Sequence, residues 1–306
     1  MRATNDELER LRELKRRALN LAANHLEALN VFYLADDMQP LDALAHGPGM
    51  VAGFASVVPA TKSHADGSVR ISLASTAACV RSLLVCPDVK PGNADFTGLM
   101  DDIVRRHQAG ELSTYGLDHL NVFTVGQLLP ALAEMVGPGS EPKLDGLIGD
   151  AVSRLQGEVA NAGVAIPMKG DPDDVETRAL PHGYLTFWAL SALAAWGQDE
   201  GDFAAPSLRW SETELYRQIA LFQTGHDERS DAYQLGYNLL IQYRFNRARL
   251  GNSLVELGLR TLFSAQLERG VWEKRDPIFR YGDHGEAYCF SFELLSSLLR
   301  ELRDDW

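Results

Sequence analysis

Carboxylates and imidazoles recur at the starts of candidate helices along this chain. Asp118 with His119, His182, Asp231, and Asp283 and His284 with Glu286 each stand just before an apolar, mostly aromatic run. A carboxylate beside an imidazole can move a proton as general acid and base, and the same groups can hold a divalent metal. His119, His182, Asp231, Asp283, His284 and Glu286 are therefore the candidate catalytic residues, provided their helices bring one end together. The plainer role is capping, because Asp, Glu and Ser at a helix start satisfy free N–H groups and favour the dipole. Histidine is less expected as a cap, and His119, His182 and His284 all stand at such positions. The same runs supply candidate ligand-binding residues: Asp118, Tyr184, Trp188, Tyr233 and Tyr288. Such aromatics either line a cavity for a small apolar or sugar ligand or fill the core between helix layers.

Helices must position these groups. Residues 5–34 read as one long helix, capped by Asn5 or Asp6, with Leu8, Leu11, Leu14, Leu19, Leu26 and Leu29 along it. A breaker-rich loop follows, in which 50–58 is short and β-branched enough to form a strand. Further helices are expected at 69–84, 97–108, 117–136, 144–162, 183–196, 211–223, 230–248, 253–267 and 286–303. Gly- and Pro-rich loops at 87–92, 137–142, 163–181 and 197–206 punctuate them. No β-hairpin or β-α-β alternation is read, so the expected class is all-α.

An internal repeat runs through the helix starts. Asp118-His119-Leu120, His182-Gly183-Tyr184, Asp231-Ala232-Tyr233 and Glu286-Ala287-Tyr288 align, recurring about every 50–65 residues, a period that suits helical hairpins with long loops. With the helix at 69–84 there are about five pairs, close to the number that closes a toroid. The expected architecture is an α/α toroid over 41–306 preceded by an N-terminal helix and linker over 1–40, with an open α-solenoid as the alternative. In the toroid, the inner helices at 117, 183, 230 and 286 turn their N-termini into one mouth.

One stretch near the C-terminus states the unit most fully. Leu257, Leu259, Leu262 and Phe263 form an apolar stripe, Gly270 permits the positive φ that stops a helix, and Trp272 covers the turn. Gln266, Gly270 and Trp272 give Q-x3-G-x-W, which resembles the repeat signature of squalene cyclases and related α/α-toroid proteins. Asp171, Pro172, Asp173 and Asp174 likewise resemble the D-x-D-D acid motif of the terpene cyclases, whose middle aspartate protonates an alkene or epoxide. In that family the motif sits in an aromatic pocket that stabilises carbocations. Here it falls in a polar Gly/Pro loop, and Val175-Glu176-Thr177 departs from the family's small, apolar continuation, so a solvated acidic loop is the reading adopted. Lanthipeptide cyclases share the toroid but hold zinc with two cysteines and a histidine, a setting that Cys79, Cys86 and Cys289 lack.

Composition excludes several classes. At 45% hydrophobic and 23% charged, 306 residues are enough for a sizeable core. The net charge of −13 and pI near 5.1 argue against a nucleic-acid or anionic-membrane surface. Three cysteines form no disulfide framework, and the first residues lack a signal peptide's apolar stretch, so a cytoplasmic setting is expected. No window reaches the length of a membrane span, and no P-loop, Rossmann glycine pattern, H-E-x-x-H or G-x-S-x-G is present. No cofactor and no resident metal are expected. The chain ends at Trp306 just past a helix, the pattern of one part of a larger protein as well as of a native terminus. The expected function is a non-catalytic recognition or assembly module, taking a protein partner or a small apolar or sugar ligand at the mouth. The alternatives are a terpene-cyclase-like enzyme and a toroidal carbohydrate-active enzyme using acid and base residues there.

Overall fold

The computed structural model describes residues 13, 31–34, 40–41, 51–54, 97–110, 141–168, 180–195, 201–225, 230–246, 253–266, 272, 294–295, 297–298 and 300–301. Helix dominates them, in keeping with an α-helical class. The helices expected at 69–84 and 117–136, nearly all of the one at 5–34 and the start of the last one lie outside the described residues. So do Asp118, His119, Gly270, Asp283, His284, Glu286, Tyr288 and the acidic motif at 171–174. The chain divides into two compact units, Met1–Leu21 with Leu155–Trp306, and Ala22–Arg154.

The Ala22–Arg154 unit corrects one expectation. Val31–Leu34 is not the end of a helix but a strand, β1, paired antiparallel with β2 (Pro40–Leu41) and with β3 (Val51–Phe54) in the order β2-β1-β3. Register runs from Val31 opposite Phe54 to Leu34 opposite Val51. Of the strand read at 50–58, residues 51–54 are described and are strand, and they take part in an antiparallel pairing that the sequence reading did not find. A four-residue apolar run has no period to separate helix from strand, so the partner strand decides. Helix α1 (Thr97–Ala109) packs against β3. Its buried face carries Leu99, Met100 and Ile103 together with Asp102 and Arg106. Arg106 Nε donates to Asp102 Oδ2 at 2.7 Å, and Arg105 also pairs with that carboxylate. Gly110, at φ +74°, closes the helix in the left-handed conformation that glycine adopts freely, its N–H returning to the His107 carbonyl. A 3₁₀ turn at Glu141–Leu144 leads into α2 (Asp145–Ala162), and His107 Nε2 meets Asp150 Oδ2 at 2.8 Å to tie α1 to α2.

In the other unit, β4 (Pro167–Met168) and β5 (Leu180–Pro181) make a two-stranded antiparallel sheet before α3 (Gly183–Ala195). Helices α4 (Gly201–Thr224), α5 (Ala232–Phe245) and α6 (Ser253–Ser264) follow. Helix α5 is the hub. Every residue from Ala232 to Tyr243 except Gln234 is buried, and α3, α4 and α6 all pack on it. Gly236 receives Leu294 of the C-terminal helical segment, and Arg244 Nη1 reaches Glu301 Oε1 at 2.7 Å. Helix α3 (GYLTFWALSALAA) is apolar all round, the composition of a helix covered on every side. Helices α4 and α6 are two-faced and touch each other as well as α5. On α4, Phe203, Ser207, Ser211, Leu215 and Ile219 recur every fourth residue as the buried stripe, while Arg209, Glu212, Tyr216 and Arg217 face solvent.

Helix α4 begins ten residues before the start expected at 211. Pro206 and the nearby glycines read as loop, because proline lacks the N–H for an interior helical bond. Burial of Phe203 and Ser207 on the same stripe as Leu215 outweighs that local preference. No helix among the described residues is long and apolar enough to cross a membrane.

Candidate functional site

Two of the expected helix starts meet. The Gly183 N–H, at the start of α3, donates to Gln234 Oε1 in the first turn of α5 at 2.8 Å. The approach is close enough that a Cβ on Gly183 would stand 2.7 Å from Asn238 Nδ2 and 3.0 Å from Gln234 Oε1. A side chain there would have to displace the Asn238 and Gln234 amides. This contact brings His182 and Asp231 to the same end of the α3–α5 pair.

His182 is pinned through its backbone. Its N–H donates to the Ile166 carbonyl at 3.1 Å, and its carbonyl accepts from Thr186 N at 3.0 Å, the first bond of α3. Ile166 is held from its other side as well, donating its N–H to Thr186 Oγ1 at 3.0 Å. His182 is 4% exposed, and its ring lies edge-on to Tyr184 with centroids 6.3 Å apart.

Asp231 is the N-cap of α5. With extended backbone (φ −132°, ψ 113°), its Oδ1 accepts from Tyr233 N at 2.7 Å and from Gln234 N at 3.2 Å. Two of the N–H groups that a helix start leaves open are thereby satisfied within the chain, and the negative charge sits at the positive end of the dipole. The Asp231 N–H in turn donates to Gln218 Oε1 at 2.9 Å, and Gln218 Nε2 donates to Glu214 Oε1 at 2.9 Å. Glu214 also accepts from Arg217 Nε at 2.7 Å. The hydrogen bond to Glu214 holds the Arg217 guanidinium above its usual range against the opposing effect of burial, with the charges of Glu214 and Asp231 adding to it. A chain of polar side chains on α4 therefore grips the start of α5.

The aromatic candidates lie in the packing. Tyr184 is half-buried and meets Tyr237 edge-on at 4.9 Å and Trp188 at 6.4 Å. Trp188 is buried against Phe187 at 4.8 Å, and Phe187 lies 5.6 Å from Tyr237. These are the offset and edge-to-face geometries that add about 0.5–1.5 kcal/mol per pair beyond area burial. Tyr233 is buried and donates its hydroxyl to the Trp272 carbonyl at 3.3 Å.

Trp272 itself is fully buried and caps α6. At the end of that helix Ala265 N still donates to Thr261 O, but Gln266 N turns to Phe263 O at 3.2 Å. The Leu262 carbonyl loses its regular partner by that tightening, and Trp272 Nε1 supplies a replacement at 2.8 Å. One residue thus links the end of α6, through its indole, to the start of α5, through its carbonyl.

Gln218, Gln234 and Asn238 did not stand out in the sequence, although all three organise this end of the molecule. Gln218 adjoins Ile219 on the buried stripe of α4, and a polar residue there is the signal that marks it. Among the described residues no group of three His, Cys, Asp or Glu side chains is arranged to hold a metal ion. The arrangement is suited to holding helix ends in register, through the bonds of Gln234 to Gly183 and of Gln218 and Asp231 at the start of α5. No family model and no curated protein matches the sequence.

Proposed function

We propose that this chain is a non-catalytic recognition or assembly module built of helical hairpins wound as an α/α toroid. The carrying observation is the state of Asp231, whose carboxylate is spent on the Tyr233 and Gln234 N–H groups of its own helix. His182, at the neighbouring helix start, is buried, and Tyr233 is engaged with Trp272. Groups committed in this way support a helix end rather than a reacting centre. The toroid draws support from the packing of α3, α4, α6 and the C-terminal segment around α5, and from the Trp272 cap in the Q-x3-G-x-W spacing. The module binds a protein partner or a small apolar or sugar ligand at the mouth formed by the inner helix starts.

The test uses a substitution that preserves capping and removes acid–base chemistry. Asparagine caps helices about as well as aspartate, so Asp231→Asn should retain the fold. The full chain and this variant are incubated with squalene, prenyl diphosphates and oligosaccharides, and products are followed by mass spectrometry. No turnover above the protein-free control is expected from either. Turnover by the wild type that Asp231→Asn abolishes at unchanged thermal stability would overturn the proposal.

A further inference from the structure

We draw no further inference here: the strongest candidate, the buried polar side chains of Ser191, Ser207 and Asn238 on the packed helices α3, α4 and α5, carries nothing because the structure does not show them meeting around one site or what would occupy it.

Discussion

Replacing Trp272 with alanine separates two contributions that the structure assigns to one side chain. The indole is 0% exposed, and deleting a buried aromatic typically destabilises by about 3–5 kcal/mol through lost transfer energy and the cavity left behind. Its N–H also satisfies the Leu262 carbonyl, and a buried acceptor left without a donor costs about 1–3 kcal/mol. The two overlap, since a cavity can admit water to that carbonyl, so Trp272→Ala should fall near the top of the aromatic range, at about 5 kcal/mol. Trp272→Phe keeps most of the apolar volume and removes the donor, so it should cost about 1–3 kcal/mol. Melting followed by circular dichroism reads both. At about 2–4 °C per kcal/mol for a domain of this size, the alanine variant should melt roughly 10–20 °C lower and the phenylalanine variant roughly 2–12 °C lower. An alanine variant melting with the wild type would refute the packing argument. Equal losses for both variants would refute the division between volume and hydrogen bond.

Three further predictions follow from single contacts. Gly236→Ala places a Cβ 2.6 Å from Leu294 Cδ1, so it should destabilise by about 1–3 kcal/mol as overpacking does, despite the better helix propensity of alanine. A higher melting temperature, or no partial rescue by Leu294→Ala, would show that α5 and the C-terminal segment do not pack this way. Asp231→Ala should lose about 0.5–2 kcal/mol in urea unfolding while Asp231→Asn loses little, because only the first removes the cap; equal losses would refute capping as the residue's role. For His107 and Asp150, one half-buried and the other exposed, a double-mutant cycle should give a coupling of only about 0.2–1 kcal/mol that weakens with salt. A salt-independent coupling well above that range would mean the pair is buried in solution.

Much of the helical pattern was legible because it rests on short-range periodicity. The apolar residues of α1, α2 and α6 recur within one or two turns, and their bounds fall within two or three residues of those read from sequence. Asp231 as a helix start was legible for the same reason, since an N-cap bonds to N–H groups two and three residues on. Trp272 was visible through its spacing from Gln266, a separation short enough for one turn to fold back. The early start of α4 was not, because Pro206 is a local breaker and only burial of Phe203 and Ser207 against the rest of the unit overrides it.

What the amino-acid order alone determined is the helical class, the Asp231 cap and the apolar stripes of the described helices, all set by interactions among near neighbours in the chain. The tertiary structure decided whether Val31–Leu34 became strand or helix, because the pairing with Val51–Phe54 satisfies backbone groups that the local pattern leaves open. It also decided the meeting of Gly183 with Gln234, the hold of Gln218 on Asp231 and the service of Trp272 to Leu262. Each of these joins separate elements, and a side chain's partner across such a gap depends on which helix faces are packed together. Among the described candidates, the tertiary structure left Asp231 as a helix cap and set Trp188 and Tyr233 in the packed interior, because the elements that cover them are ones that the sequence does not place beside them.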